Sequence, residues 1–465
     1  MRSLAPHRTD DTLPRSRSGD HRRGSRSGTD EERGWVEIAR GLAWHDLPGV
    51  IGVLLTAGLA SCGASEGPAR GPDGVETPAV ASAGKGSTPA PAVPAEEWTK
   101  RERALLARLS PLPAPPPDPT NAVADDPGAA HYGRWLFFDA RLSGSGDVSC
   151  ATCHDPAHQF ADPRALAVGA ERGERHAPTL VEAAHQRWLG WGGRADSLWM
   201  QALGPLENPV EMAGDRAAIG ALVRTDVELR RAHEAVFETV PEDDTAVLVQ
   251  IGKALAAYER LLVRGEGRFD RYAAAVLDLP GADAEALDEQ ERKGLHLFLG
   301  KARCTLCHLG PVFSDLEFHN NAVPPHPDGP RDDPGRFAGA RRVKDSSFNA
   351  AGPWSDDPEG PAASRVRALV VRSETFGEFR TPSLRNLQGR EPFGHQGQFE
   401  DLDAVLRFYD TLEGRDLRSH HQEQLLVPLG LTGAQRAALA AFLMTLEGEP
   451  LDEDLLGPPA SPVPG

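Results

Sequence analysis

Cys150-Ala151-Thr152-Cys153-His154 and Cys304-Thr305-Leu306-Cys307-His308 decide how this chain is read. Both are C-x-x-C-H. On one helical turn, residues three and four apart share a face. Two thiols so spaced can bond the two vinyl groups of one haem, and the adjoining histidine then lies under the iron as its axial ligand. A lone C-x-x-C is equally half of a zinc site or a redox dithiol. Neither alternative requires histidine as the next residue, and neither explains the repeat 154 residues later. The expectation is two covalently bound haem c groups, attached through Cys150, Cys153, Cys304 and Cys307, with His154 and His308 as iron ligands.

The fifth cysteine, Cys62, ends the stretch Leu59-Ala60-Ser61-Cys62 at the close of an apolar run over 47–60. That run is short for a membrane span and ends in small residues, like the apolar core of a secretory signal. Leu-Ala-Ser-Cys resembles a bacterial lipobox, whose cysteine is lipidated after cleavage. The competing reading is a buried apolar segment. Bacterial haem attachment follows export, so periplasmic or cell-envelope location with a lipid anchor at Cys62 is expected. No disulfide framework is indicated, since every cysteine belongs to one of these three motifs.

The chain has 465 residues, of which 40% are apolar and 6% aromatic, a soluble profile with room for several cores. Its 50 basic and 68 acidic residues give a net charge of −18. That argues against nucleic acid, and against membrane contact other than through the anchor. Residues 1–62 read as an arginine-rich leader and signal, and 63–97 as a Pro/Gly/Ala tether that cannot bury a core. Beyond it, Leu248, Ile251, Leu255, Tyr258 and Leu262 recur at helical steps. A second helical segment, 285–299, leads into the second motif. Thr432 and Gln435 form a capping box before Leu439, Phe442 and Leu443. The stretch 319–376 reads as loop, dense in Asp, Gly and Pro, and no strong strand alternation appears. The fold is expected to be mainly α, with two cytochrome c-like haem domains and long loops. The expected bounds are 98–285 and 286–450, followed by a tail at 451–465.

Further motifs carry a resemblance. Leu136-Phe137-Phe138-Asp139-Ala140-Arg141-Leu142-Ser143 before the first haem motif, Ala177-Pro178-Thr179-Leu180, Trp191-Gly192-Gly193-Arg194, Gln201-Ala202, Gly204-Pro205-Leu206, Glu211-Met212 and Arg380-Thr381-Pro382-Ser383-Leu384-Arg385-Asn386 run in order along the chain. This string resembles the bacterial diheme cytochrome c peroxidase family, which includes MauG, from about residue 130 to 448. The resemblance implies that the first haem reacts with peroxide and that the second feeds it electrons. Glu211 would be the distal acid-base carboxylate, since peroxide must release one proton and its departing oxygen must receive one. Gln201 would be the distal amide that hydrogen-bonds the bound oxygens. Read alone, Glu211 is a solvated acid and Gln201 a surface amide. Trp191 would be the relay between haems, although tryptophan is ordinary core and Trp188 lies one turn away. An ungapped match through Pro392-Phe393-Gly394-His395 puts Tyr409 where most of the family has a methionine ligand; MauG resembles this sequence in having tyrosine there. The plain alternative is core, because Leu402, Val405, Tyr409 and Leu412 form a helical stripe. A phenolate there stabilises ferric iron, whereas methionine raises the potential.

Three positions depart from the family. Ala170 stands where many members carry a second histidine on the peroxidatic iron, so that iron is expected to be open without reductive activation; His158 and His176 are the substitutes nearby. His176 replaces an asparagine that helps hold Ca2+ between the modules, alongside the main-chain carbonyls of Arg390 and Pro392. Imidazole is a poor calcium donor, so the substitution weakens that expectation. Gly192 replaces an aspartate, without a consequence legible in the sequence. The leading function is reduction of hydrogen peroxide to water with electrons from a small donor protein, a cytochrome c or a copper protein. A MauG-like oxidation of a protein substrate through long-range electron transfer is the alternative. A non-enzymatic diheme electron carrier would leave Gln201 and Glu211 without a role.

Overall fold

The helix Asp244–Glu259 is buried along almost its whole length and organises the first hydrophobic cluster. In this computed structural model, which describes residues 97–418 and 421–464, the helices are, in chain order, α1 (Lys100–Leu109), α2 (Pro127–Phe138), α3 (Leu198–Glu207), α4 (Arg216–Thr225), α5 (Val227–Phe237), α6 (Asp244–Glu259), α7 (Arg268–Leu277), α8 (Glu289–Leu299), α9 (Gly335–Asp345), α10 (Pro361–Ala368), α11 (Leu402–Thr411) and α12 (Gly433–Leu443). The expected leader, with Cys62, and nearly all of the tether lie outside the described residues. Among the described residues, no helix is long and apolar enough to cross a membrane. The only paired strands among them are Phe318–His319 and Phe379–Arg380, antiparallel, with Phe318 opposite Arg380.

Glycine lets α6 be approached from two sides. A side chain at Gly133 of α2 would overlap the Ala254 carbonyl, and one at Gly252 would overlap Leu203 and the Trp199 carbonyl of α3. Tyr132, Leu136, Phe137, Trp199, Leu203, Leu255 and Tyr258 fill the space so formed. Helices α2, α8 and α12 begin where the chain supplies an acceptor for their free N–H groups. Asp126 caps α2 with Pro127 behind it, Asp288 and Glu291 form a capping box on α8, and Thr432 and Gln435 form the expected one on α12. The second cluster gathers around α8 and α12, with Phe298, Phe313, Leu439 and Phe442 at its centre. The two clusters cross the divide expected near 285. Trp98, Leu106 and Leu109 with Phe269 and Tyr272 of α7 join the second cluster, while Val343, Ala350 and Val366 join the first.

The stretch 319–376 is not all loop, because it contains α9 and α10. The sequence hid α9 because its apolar face is thin: only Ala340 and Val343 are buried aliphatics among arginines and glycines. The helix is held by backbone proximity. A side chain at Gly339 would overlap the Gly192 carbonyl oxygen, and one at Gly192 would overlap the Gly335 carbonyl. This gives Gly192 a physical reason: α9 crosses the loop after Trp191 too closely for an aspartate.

Candidate haem-binding active site

The two cysteine motifs have the same local conformation. Each is a 3-10 turn, Cys150–Thr152 and Cys304–Leu306. In the first, the Cys150 carbonyl accepts N–H groups from Cys153 (3.3 Å) and His154 (2.9 Å); in the second, the Cys304 carbonyl accepts from Cys307 (3.3 Å) and His308 (2.8 Å). The histidines are oriented alike. His154 Nδ1 meets the Phe160 carbonyl at 3.1 Å, and His308 Nδ1 meets the Phe313 carbonyl at 2.8 Å. A carbonyl can only accept, so Nδ1 carries the proton and Nε2 keeps its lone pair. That tautomer is how an iron-ligating histidine is held. Both anchoring phenylalanines have left-handed backbone, φ 56° and 52°. This conformation is costly for a bulky side chain, and two buried rings hold it in place. Burial also keeps both imidazoles below their usual pKa, in the neutral form.

At the second motif, Cys307, His308, Trp191, Asn321 and Tyr409 share the wall of a cavity of about 520 Å3, a cofactor-sized space. Asn321 Nδ2 donates to Tyr409 Oη at 3.0 Å, and burial pushes the phenol up to about 12. Cys307 also lies with Asp315 and His319, one ligand atom of each within 4.8 Å of the others. A metal held there directly is disfavoured by the donor chemistry. His319 gives Nε2–H to Asp315 at 2.9 Å and Nδ1–H to Glu423 at 2.9 Å, and its hydrogen bonds with Asp315, Cys307 and Glu423 push its pKa up to about 11. An imidazolium has no lone pair to give. The freed Nε2 of His308 on the wall of a largely apolar cavity fits a tetrapyrrole.

At the first motif, the surroundings are charged. Glu211 sits on the turn after α3, which folds back through bonds from Met212 N to the Pro205 carbonyl (3.1 Å) and from Gly214 N to the Leu206 carbonyl (2.7 Å). Arg194 grips its carboxylate with both terminal nitrogens, at 2.9 and 3.3 Å. Burial alone would raise the Glu211 pKa; Arg194, a hydrogen bond from Asn208 and the charge of Arg342 carry it below the usual carboxylate range. The Glu211 charge in turn acts on Cys150, Cys153 and His154. Gln201 is half-buried on α3, ten residues before it. The Gly169-Ala170 strand of loop runs along the Glu211 backbone: Ala170 N donates to the Glu211 carbonyl at 2.7 Å, and a side chain at Gly169 would overlap that same oxygen.

Other singled-out residues find definite places. Trp191 is buried, gives its indole N–H to the His176 carbonyl at 2.9 Å and packs edge-on to His395. Trp188 instead lies under the Arg336 guanidinium, 4.4 Å from its ring centre. His158 is held by Asp155 at 2.9 Å. His176 sets Nδ1 on the Arg164 carbonyl at 3.0 Å and lies on the wall of the second cavity. Sequence reading assigned no role to Arg194 or Arg342. Arg194 was visible as the last residue of Trp191-Gly192-Gly193-Arg194, whereas Arg342 lies on a helix the sequence did not reveal.

The family profile "Di-haem cytochrome c peroxidase" matches residues 127–276. The chain is 32% identical over 360 residues to the cytochrome-c peroxidase IdrP1 of Denitromonas iodatirespirans, covering 74% of this chain and 88% of that protein. It is 32% identical over 351 residues to the methylamine utilization protein MauG of Methylorubrum extorquens, covering 75% and 85%. Among solved structures, the diheme peroxidase BthA from Burkholderia thailandensis superposes with a TM-score of 0.54 at 26% identity, over 76% of this chain and 94% of that one. A MauG-like protein associated with microbial copper homeostasis gives 0.58 at 27%, over 75% and 98%. With relatives of this identity and coverage, and two C-x-x-C-H turns each presenting a histidine Nε2, the chain belongs to the di-haem cytochrome c peroxidase/MauG family.

Proposed function

We propose that this protein reduces hydrogen peroxide to water at the first haem motif, with electrons passed from the second. One observation carries the reading: a carboxylate held ionised by Arg194 lies within electrostatic reach of the first motif, while the second motif opens on a largely apolar cavity with Tyr409 on its wall. Haem bound at the two motifs supplies the redox-active iron at which the O–O bond is reduced and the reserve of electrons behind it. The chain's own residues do the rest. His154 offers Nε2 from a fixed tautomer. Glu211, ionised at neutral pH, accepts the proton that peroxide gives up and returns it to the departing oxygen. The Gln201 amide hydrogen-bonds the peroxide oxygens and steadies developing charge. Overall, one peroxide takes two electrons and two protons and yields two waters. The electrons come from a small cytochrome c or copper protein.

Ala170 supports an iron at the first motif that needs no prior reduction. The deciding experiment is steady-state peroxide consumption with reduced cytochrome c, with and without a reducing pretreatment. Equal turnover in both is expected, and no consumption in either defeats the proposal. Trp191, buried on the wall of the second cavity, favours one further reading, a MauG-like oxidation of a protein side chain. Titration with peroxide in the absence of a donor separates the two: a long-lived near-infrared-absorbing state supports the oxidase. Export with lipidation at Cys62 belongs to the same proposal. Cys62→Ala should move the protein from membrane to soluble fraction, and an unchanged distribution removes the anchor.

A further inference from the structure

Buried arginines in this chain ordinarily have partners. Arg385 is fully buried and gives Asp270 two bonds, at 2.9 and 2.8 Å, with further bonds to the Pro311 and Leu109 carbonyls. Arg260 holds Asp125 at 2.7 Å. Arg336, which has no carboxylate, lies between the rings of Trp188 and Phe318, at 4.4 and 4.1 Å, and bonds the Gly193 carbonyl. Two arginines break the pattern, and both are on the wall of the second cavity: Arg380, 4% exposed, and Arg390, 9% exposed. Among the described residues neither makes an ion pair. Arg380 makes one side-chain bond, from Nη1 to the Thr381 carbonyl at 3.3 Å, and its buried Nε has no partner. Arg390 bonds only the Ser383 carbonyl, at 2.8 Å.

Two guanidiniums in one buried space repel each other and carry a desolvation cost that neutral carbonyls do not repay. Burial pushes both down to about 10. The Arg390 charge adds to this for Arg380, while Glu447 and Glu391 ease it for Arg390. A ligand with two carboxylates supplies what is missing, and each guanidinium can clasp one carboxylate through a pair of N–H groups. The tetrapyrrole that fits His308 has two, its propionates. We propose that Arg380 and Arg390 are the paired seat for the propionates of the haem held at the second motif, and that their charge raises that haem's reduction potential. Arg380 fixes where the seat lies. Its backbone N–H donates to the Trp191 carbonyl at 2.8 Å, which ties the seat's backbone to the tryptophan loop. Two parts of the cavity wall then act oppositely: a tyrosine ligand would favour the oxidised iron, and two cations favour the added electron.

The inference rests on the proposed haem at the second motif, and the test keeps the two apart. Haem per chain, by pyridine haemochrome, is measured first on the wild-type holoprotein. Anything other than two ends the parent reading. With two present, Arg380→Gln and Arg390→Gln should each keep both haems, since the thioethers hold them, yet lower the midpoint potential of the low-spin haem. Arg380→Lys should restore most of the loss. An unchanged potential in both glutamine variants overturns the seat. A wild-type potential that follows added phosphate also overturns it, because the cations would then serve free anions. Should either variant fail to fold, the wild type still decides. Infrared redox difference spectra of protein with isotope-labelled arginine should show shifted guanidinium bands, and spectra without them refute the proposal.

Discussion

At the first motif the histidine whose Nδ1 is pinned by a left-handed phenylalanine feels the charge of Glu211, which Arg194 grips; at the second, a histidine pinned the same way shares with Tyr409 and Asn321 a largely apolar cavity whose wall also carries Arg380 and Arg390. One turn, used twice, thus sits in two electrostatic settings. A charged, proton-handling environment suits bond-breaking chemistry. A largely apolar cavity with a buried phenol on its wall would suit a haem kept for electron transfer. The difference teaches that the motif specifies attachment alone, and that the function of each iron is written by the loops that close over it.

This contrast can be broken from either side. The largest effect is expected from Glu211→Gln, which removes the proposed proton carrier of the first site and should cut peroxide turnover by on the order of 100-fold, read as kcat/KM with reduced cytochrome c. The pH profile sharpens the assignment. Because Arg194 and its neighbours hold the Glu211 pKa below its usual value, base function is present above that lowered pKa and lost as pH falls through it. Arg194→Gln should therefore move the acid limb of the profile to higher pH; an unmoved limb means that another group titrates.

Ala170→His should close the first site by offering its iron a sixth ligand. A high-spin ferric signal in the wild type should convert to low spin in the variant, with activity appearing only after reduction. A wild type that rests with both irons low-spin contradicts the open first site. Tyr409→Phe attacks the contrast from the other side: the low-spin spectrum should change while the peroxide-reactive signal stays, and an identical spectrum rules the phenol out as a ligand. The smallest effect concerns only packing. Gly192→Asp forces α9 away from the Trp191 loop and should lower stability by about 1–3 kcal/mol, measured as a fall in Tm with both haems retained.

Much of this was legible in the chain. The two histidine-bearing turns follow from five-residue motifs, and α6, α8 and α12 from apolar spacing and capping pairs, because those signals are local and helical steps are regular. What stayed hidden depends on contact at long range. Glu211 stands 17 residues from Arg194, and nothing in the spacing says that one guanidinium grips the other's carboxylate. Helix α9 carries too little apolar surface to register, being held by glycine-to-backbone contact, which leaves no periodic trace. The unpaired state of Arg380 and Arg390 likewise becomes visible only when their surroundings can be inspected, since a sequence lists cations without their counter-ions.

The crossing of α9 over Gly192 has a consequence for how the enzyme can be divided. Severing the chain between α7 and α8 would leave the first fragment without Arg342 and without the Val343 and Val366 that complete its apolar interior, and the second without α1 and α7. The halves are interlocked rather than strung together. Neither fragment should mature into a working mono-haem protein by itself, and only co-production of the pair could rebuild the clasp.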